Sequence, residues 1–325
     1  MQSFDLAEAT TLAQVLAMDC AARAGLRALV VKGSTMNHHG LRSPQTSSDV
    51  DVLLAPSEAD AFEATLGRIG WRRRMGEIAG LPVTHHSATF LHDDWPCDID
   101  VHRSFPGFLA DPARVFDILW ERRETMPAAG QLVTIPDFAS SVLILALHAA
   151  RSNPDDTSRR YEVTELVRLC AGWTDERRAD VGRVATATGA AAALPNLLPR
   201  LGIDPLVDAS VVEPGALAAW NRRAAGSSSG TTTWLRFIVR GPVGDLPRRL
   251  RVALLPDADQ LRPYGIVREE PRALARARVR WWGMGLRSVR RAVASRLGLR
   301  QRNVLADVDE ALNREDGALG HEDGA

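Results

Sequence analysis

The chain has 325 residues, 45% of them hydrophobic and 25% charged, which is typical of a globular protein long enough for two domains. Its formal net charge is zero and its pI is near 7.1, which excludes a protein whose whole surface binds nucleic acid but not a local basic patch. The three cysteines, Cys20, Cys97 and Cys170, are scattered and form no CxxC pair, which argues against a disulfide framework or a cysteine-bound zinc ion.

The first predicted elements are a helix, a strand and a second, short helix. Residues 5–24 carry apolar side chains at helical spacing and lack the basic start and apolar core of a signal peptide, so we expect a cytoplasmic protein. The branched apolar run of residues 26–31 predicts a strand, which ends in the sequence KGST. A glycine and two hydroxyl residues at a strand end often open a helix, here predicted for residues 35–40.

Two later strands carry aspartates at alternate positions. Residues 49–54, with the sequence DVDVLL, predict the first of them, and a helix follows through residue 66. Residues 98–102, with the sequence DIDVH, predict the second, which forms a hairpin with a preceding strand at residues 83–91. The first part of the chain, through about residue 105, therefore predicts a mixed α/β unit.

Helical patterns dominate after residue 111. The clearest helices are predicted at residues 112–123, 137–151 and 161–171, whereas the polar stretch 226–233 predicts a loop. The most apolar run, residues 142–150, is too short to cross a bilayer, so we expect no transmembrane segment.

The whole pattern predicts an α+β fold, in which a mixed sheet with helices is followed by a mainly helical C-terminal region. The predicted segments are a catalytic domain (1–110), a helical domain on the acceptor side (111–270), a basic amphipathic helix (271–304) and an acidic, disordered tail (305–325).

The aspartates of the two strands form the central candidate site. Asp49 and Asp51 stand two apart on one strand and therefore point to the same face. Two carboxylates side by side repel each other, and a divalent cation such as Mg²⁺, which prefers oxygen ligands, removes that repulsion. Asp100 from a neighbouring strand would complete a two-metal site with ions roughly 3.5–4 Å apart.

The KGST turn lies where a phosphate would approach these acids. Gly33 would let the backbone come close to a phosphate, and Ser34 would donate its hydroxyl and N–H to it. Lys32, the only lysine of the chain, either pairs with a phosphate or closes the strand. Such a sparse set of residues suffices for nucleotidyl transfer, in which catalysis is mostly positioning and charge stabilisation.

The ordered sequences KGS, DVDVLL and DIDVH resemble the DNA polymerase β-type nucleotidyltransferase superfamily, whose signature is hG[GS], then [DE]h[DE]h and a later acid. More narrowly, the chain is similar to bacterial nucleotidyltransferase family proteins of about this length. Weaker landmarks of that likeness are LHAA at residues 147–150, LLP at 254–256 and LRPYG at 261–265.

The resemblance implies a polymerase β-like mixed sheet and a role for each motif. It implies that Gly33 and Ser34 contact the NTP phosphates and that Asp49, Asp51 and Asp100 bind two Mg²⁺ ions, with ATP the expected nucleotide. Relatives carry an arginine about four residues before the first acid, where this chain has Gln45. Arg42 then becomes the candidate for contact with the triphosphate.

The expected reaction is transfer of a nucleoside monophosphate (NMP) from the NTP to an unidentified acceptor, with release of pyrophosphate. The acceptor is a small molecule, a peptide or protein side chain, or an RNA end. Two alternatives use the same residues: a nucleotide-binding regulator or interaction module without catalysis, and a metal-dependent phosphohydrolase with water as acceptor.

Other polar residues carry weaker signals. Asp98 is an alternative ligand to Asp100, and His102 either orients Asp100 or is structural. The pairs at residues 38–39 and 85–86 are adjacent histidines, but adjacent strand residues face opposite ways, so we do not predict zinc there. His148 lies on an apolar helix face, which favours a core or acceptor-pocket role.

The basic helix carries an apolar stripe that includes Trp282 and Leu286. A weak contact with RNA or a membrane surface is one interpretation, and packing of the stripe on the protein with solvated arginines is the other, which we favour. Its arginines are Arg272, Arg276, Arg278, Arg280, Arg287, Arg290, Arg291, Arg296 and Arg300.

Overall fold

The structure is a computed structural model and describes residues 5–74, 86–151, 157–222, 224, 243–256, 261 and 271–296. The first region comprises α1 (Leu6–Arg23), β1 (Ala28–Val31), α2 (Gly33–His38), β2 (Asp49–Leu54), α3 (Ala59–Arg68), β3 (Arg72–Arg73), β4 (Ser87–Leu91) and β5 (Asp98–His102). The second comprises α4 (Pro112–Glu121), β6 (Glu124–Ala128), β7 (Gln131–Ile135), α5 (Phe138–Ala150), α6 (Thr157–Cys170), α7 (Asp175–Ala187), α8 (Ala190–Ala193), α9 (Ala216–Arg222), α10 (Leu246–Leu254) and α11 (Pro271–Arg296). Short 3₁₀ turns lie at Pro199–Leu201, Ala209–Val211 and Val243–Asp245.

The first region is built on a five-stranded mixed sheet in the order β1-β2-β5-β4-β3. The central pair, β2 and β5, is parallel, whereas β1 with β2, β4 with β5 and β3 with β4 are antiparallel. The predicted α+β class and the predicted hairpin of the third and fourth strands are confirmed. The short strand β3 is an addition that the sequence pattern did not predict.

One face of the sheet is covered by α1 and α3 because every second residue of the central strands is apolar. Val50, Val52 and Leu54 of β2 pack with Phe62 and Leu66 of α3 in one buried cluster. Burial of a large apolar side chain stabilises the fold by about 1.5–3 kcal/mol. The intervening residues of β2, which include the two aspartates, therefore face the other way, towards the second region.

The second region shares an apolar core with the sheet. Leu29, Val31 and Leu53, on the face opposite α1 and α3, belong to the same buried cluster as Val142 and Leu166 of the helices. The apolar core is thus continuous across residue 110, where we predicted a domain boundary. That core holds the helical region against the face that carries the aspartates.

A two-stranded hairpin, β6–β7, lies within the part that we predicted to be mainly helical. Its turn places Ala129 (φ 45°) and Gly130 (φ 75°) in the left-handed region, as a tight hairpin requires. Met126 and Val133 pack against Val30 of β1, so the hairpin covers the edge of the sheet region. The three predicted helices in this part correspond to α4, α5 and α6.

Residues 271–296 of the predicted basic helix form α11, which contacts the end of α10, and residues 297–304 lie outside the described residues. Trp282 Nε1 donates to the carbonyl of Leu254 (2.6 Å), and Arg278 Nε donates to that of Pro256 (3.1 Å). Among the described residues no helix is long and apolar enough to cross a bilayer. The predicted loop at 226–233 and the predicted acidic tail lie outside the described residues, and contact of α11 with RNA or a membrane stays a prediction.

Gly107 tests the packing between the loop after β5 and the helices. Its φ is +104°, which residues with a side chain rarely adopt. A Cβ added here would lie 2.5 Å from Leu147 Cδ2 and 2.8 Å from Trp220 Cζ3, so there is no room for a side chain. We expect Gly107→Ala to lower the free energy of unfolding by about 2–4 kcal/mol in urea denaturation, because strain and overpacking add. The control Gly25→Ala, with φ +68° and open space around the added atom, should cost only about 1 kcal/mol. Equal losses would show that the clash at Gly107 is absent.

Candidate functional site

The register of the two central strands brings the predicted acids together. Because β2 and β5 are parallel, Asp49 lies opposite Asp98 and Asp51 lies opposite Asp100. These side chains share the face directed towards the helical region. Single ligand atoms of Asp51, Asp100 and His102 lie within 4.8 Å of one another, a spacing that a metal ion can bridge. The predicted convergence of Asp100 with Asp51 is therefore present in the structure.

Asp51 is the most buried acid of the site and has two partners. Its side chain is 4% exposed, and its Oδ1 accepts from both Lys32 Nζ and, at 2.7 Å, His102 Nε2. Burial raises the pKa of Asp51, but the Lys32 ammonium and the His102 hydrogen bond outweigh it and hold that pKa well below its usual range. Asp51 is consequently an ionised carboxylate.

The pKa values of Asp100 and Asp49 are shifted in the opposite direction, upwards. Burial, followed by the charge of Asp51, raises the pKa of Asp100 to about 7, although Thr89 Oγ1 donates a 2.6 Å hydrogen bond to Asp100 Oδ1. Burial and Asp51 also raise the pKa of Asp49, whose Oδ1 accepts from Ser47 Oγ at 2.8 Å. Burial and the neighbouring charge of Asp51 therefore both disfavour the ionised forms of Asp49 and Asp100.

The donor set fits a hard divalent cation. Asp51 and Asp100, from two strands, have ligand atoms within 4.8 Å of each other, and Asp49 lies close enough that the charge of Asp51 adds to burial in raising its pKa. Oxygen donors of this kind suit Mg²⁺, which binds through a few carboxylates and completes its shell with water and phosphate oxygens. The ammonium of Lys32 supplies one positive charge to this cluster.

His102 contacts a different acid from the one that the sequence suggested. Its Nε2 lies 2.7 Å from Asp51 Oδ1, and both side chains are buried, at 3% and 4% exposure. Burial lowers the pKa of His102, so the ring is neutral, and Nδ1 finds no hydrogen-bond partner among the described residues. A neutral ring that carries its proton on Nε2 satisfies both observations and donates to Asp51.

Asp98, the alternative ligand, is occupied by a cation from outside the cluster. Its Oδ2 forms an ion pair with Arg74, which follows β3 at the far edge of the sheet. Asp98 therefore lies in register with Asp49 but is drawn towards Arg74.

The KGST turn lies directly beside the acids because β1 runs antiparallel to β2 and ends opposite Asp51. Lys32 and Gly33 both have positive φ, 60° and 42°, and a lysine in this region is strained. That conformation directs Lys32 Nζ to Asp51 and starts α2 at Gly33. The Ser34 hydroxyl donates to Gln14 Oε1 of α1 at 3.0 Å, so a phosphate contact through this hydroxyl would compete with Gln14.

Arg42 supports the turn from behind. Its guanidinium donates to the Gly33 carbonyl (3.0 Å) and to Asn37 Oδ1 (3.1 Å), and it lies 3.5 Å from the buried carboxylate of Glu162. These partners hold a side chain that is only 11% exposed. The predicted contact of Arg42 with a triphosphate stays a prediction, and what the structure adds is its role in fixing the turn.

Several residues of the site carry no sequence signal. Thr89 reaches Asp100 from β4, and Gln14 reaches Ser34 from α1, both through pairings that only the folded sheet creates. Arg151, at the end of α5, lies close enough to His102 to lower its pKa further, after burial and Lys32. Its guanidinium lies over the Phe105 ring (5.3 Å) and 3.1 Å from His148 Nδ1. The α5 end therefore borders the acid cluster.

Thr89 is expected to position Asp100. Thr89→Val keeps the shape but removes the 2.6 Å hydrogen bond, so we expect the affinity of the protein for a divalent cation, titrated as Mg²⁺ in a calorimeter, to fall about 10–100-fold. Thr89→Ser, which keeps the hydroxyl, should bind the cation as the wild type does. An unchanged affinity in the valine variant would show that the hydrogen bond does not orient the acid.

Comparisons with known proteins give structural likeness alone. No protein-family model matches the chain, and no curated protein matches it. Among solved structures, the antibiotic-resistance factor ANT(2'')-Ia is 13% identical, with a TM-score of 0.33, over 70% of this chain and 98% of that one. The lincosamide antibiotic adenylyltransferase LnuA, solved with lincomycin, is 10% identical, with a TM-score of 0.29, over 55% of this chain and 96% of that one. An antigenic nucleotidyltransferase-like protein from Paracoccidioides brasiliensis is 13% identical, with a TM-score of 0.35, over 63% of this chain and 96% of that one. At such values the function rests on the geometry of the site itself.

Proposed function

We propose that the chain is an Mg²⁺-dependent nucleotidyltransferase of the DNA polymerase β-type superfamily, which transfers NMP from an NTP, with ATP as the expected donor, to an acceptor. One observation carries the proposal: Asp51 and Asp100 lie opposite each other on parallel strands, next to the turn at Lys32–Gly33. Metal-binding carboxylates beside a backbone turn that can receive a phosphate are the parts that nucleotidyl transfer needs.

The proposed roles follow the contacts around each acid. Asp49, Asp51 and Asp100 hold the divalent ions, which supply charge neutralisation for the triphosphate and the leaving pyrophosphate when bound. His102 keeps Asp51 in place by donating to its Oδ1, and Thr89 does the same for Asp100.

Lys32 has a second role in this proposal. Its ammonium contacts Asp51, and like charges repel, so a cation bound at Asp51 would disfavour this contact. Lys32 would then be free to pair with a phosphate oxygen beside Gly33 and Ser34. The acceptor oxygen bonds to the α-phosphorus while the bond between the α-phosphorus and the leaving pyrophosphate breaks.

The acceptor is expected on the helical side. The acids face the helical region, and Arg151, which contacts His148 at the end of α5, lies close enough to His102 to lower the pKa of that ring. We therefore assign the catalytic domain to residues 1–110 and the acceptor-binding part to 111–270. The acceptor class stays open between a small molecule, a peptide or protein side chain and an RNA end.

Two forms of radiolabelled ATP test the proposal against its alternatives. With Mg²⁺ and a panel of the three acceptor classes, label in the α-phosphate should become attached to an acceptor, and label in the γ-phosphate should appear in pyrophosphate. Free NMP as the only product from the α-label would favour the phosphohydrolase. Tight binding of ATP and Mg²⁺ in calorimetry, without any turnover across the panel, would favour a nucleotide-binding regulator.

A further inference from the structure

A second group of metal-ligand side chains lies at the other end of α2. The sequence argument against zinc at His38 and His39 used the spacing of strand residues, although the helix predicted at residues 35–40 contains both. In the structure the two residues end α2, so that argument does not apply to them. His38 is the last helical residue and His39 is the C-cap, with φ −80° and ψ −1°. In this conformation the two rings lie close together, with centroids 5.2 Å apart.

A carboxylate from the β6–β7 hairpin completes the group. Glu124 is the first residue of β6, and one ligand atom each from His38, His39 and Glu124 lie within 4.8 Å of one another. His38 and Glu124 are exposed and His39 is half-buried, so solvent can supply further ligands. The three side chains come from two elements that only the fold brings together.

His39 is already held in the manner of a metal ligand. Its Nε2 lies 3.0 Å from the carbonyl oxygen of Pro136, which can only accept a hydrogen bond, so Nε2 carries the proton and donates. Nδ1 is then the unprotonated nitrogen and the one that can bind a metal. The ring also packs edge-on against Phe138, with centroids 5.9 Å apart. Metal-binding histidines are commonly fixed by a hydrogen bond from the other ring nitrogen to a carbonyl.

We propose that His38, His39 and Glu124 bind a divalent ion of the zinc class, with water in the remaining position. Two imidazoles and one carboxylate form a ligand set typical of Zn²⁺, whereas Mg²⁺ prefers oxygen ligands alone. The site is therefore distinct in chemistry from the aspartate cluster. The ion would tie the end of α2 to the hairpin and so stabilise the helix that begins at Gly33.

Competition with a colorimetric zinc chelator tests the site on the full chain. The protein is first stripped with a chelator and kept in excess Mg²⁺, and Zn²⁺ is then titrated. We expect one bound equivalent in the wild type, and affinity at least about tenfold weaker in His38→Ala and in Glu124→Gln. Glu121→Gln, an exposed acid at the end of α4, is the matched control and should bind as the wild type does.

Two further measurements keep the proposal falsifiable. X-ray absorption of the zinc form should show imidazole nitrogens at about 2.0–2.1 Å, and zinc should raise the melting temperature of the wild type but not of His38→Ala. Absence of zinc binding to the wild type would overturn the site. So would an affinity for zinc in His38→Ala and Glu124→Gln that equals that of the wild type. Zinc lost in Asp51→Asn but kept in His38→Ala would also overturn it, by placing the ion in the aspartate cluster. None of these readouts depends on nucleotidyl transfer.

Discussion

Asp51→Asn should reduce the rate of NMP transfer by about three orders of magnitude, because metal-based charge stabilisation contributes several kcal/mol and about 1.4 kcal/mol is worth a factor of ten. Asp51 is the acid on which the site converges: Lys32 and His102 both contact its Oδ1, and Asp100 lies opposite it. The asparagine keeps the shape and the acceptor oxygen but loses the negative charge that a divalent ion needs. The rate is measured as label transferred from ATP to the acceptor at saturating Mg²⁺.

The matched control for this substitution is Asp98→Asn. Asp98 lies on the same face of β5 as Asp100 but pairs with Arg74, so its loss should cost only about tenfold in transfer, the lower end of the range for groups that act through another residue. Circular dichroism and thermal melting of both variants check that they fold. A folded Asp51→Asn variant that transfers at more than a tenth of the wild-type rate would contradict the assignment.

Asp100→Asn should reduce the rate of transfer about as much as Asp51→Asn does. In EDTA it should also make the protein more stable than the wild type. Burial and the charge of Asp51 disfavour the Asp100 carboxylate and raise its pKa to about 7. The neutral asparagine removes that penalty and can still accept the hydrogen bond from Thr89. We expect a gain of about 1–3 kcal/mol in the free energy of unfolding at pH 8 in EDTA, since each pKa unit corresponds to about 1.4 kcal/mol.

The pH dependence of this gain follows from the direction of the shift. The folded-state pKa of Asp100 lies above the value of about 3.9 in an unfolded chain, so the folded protein binds more protons between these two values. The wild type therefore loses stability relative to Asp100→Asn as the pH rises through this window, and the difference is constant above it. Thermal melting of both proteins in EDTA from about pH 5 to 8 measures the difference.

Added Mg²⁺ should reverse the order of stability, because it binds the folded wild type and stabilises it by mass action. If the difference in melting temperature between Asp100→Asn and the wild type does not grow with pH, burial does not raise the pKa of Asp100. A variant that gains as much from Mg²⁺ as the wild type does would show that Asp100 is not a ligand.

The central strands of the site were predictable because their pattern is local. The sequences DVDVLL and DIDVH place apolar residues at one face and aspartates at the other, and β2 and β5 have the predicted bounds, Asp49–Leu54 and Asp98–His102. Only their parallel pairing, which sets Asp51 opposite Asp100, had to come from the fold.

The partners of the acids were less predictable because they depend on packing between distant segments. No spacing rule indicates that Lys32 would fold back on Asp51, that His102 would choose Asp51 over Asp100, or that Thr89 of β4 would bond Asp100. Likewise, the hydrogen bond from the Arg42 guanidinium to the Gly33 carbonyl could not be predicted from the length of the loop between α2 and β2.

The hairpin β6–β7 was missed for a different reason. Its first strand, β6, carries Pro127 and only one residue of high strand propensity, Thr125, although β7 ends in the favourable run Val-Thr-Ile. Its turn at Ala129–Gly130 lacks the Asn-Gly or Asp-Gly pair that marks tight turns. Packing of Met126 and Val133 against β1 and α1 stabilises it instead. The same hairpin supplies Glu124 to the proposed zinc group, so that group was also beyond reach of the sequence.

Crystals grown with Mn²⁺ and a non-hydrolysable ATP analogue would test the central claim most directly, since anomalous scattering locates the metal. We expect two manganese peaks roughly 3.5–4 Å apart, one in contact with the carboxylates of both Asp51 and Asp100, with a phosphate oxygen beside Gly33 and Lys32 moved off Asp51. Nucleotide bound with no manganese at these acids, or with Lys32 still paired to Asp51, would contradict the account.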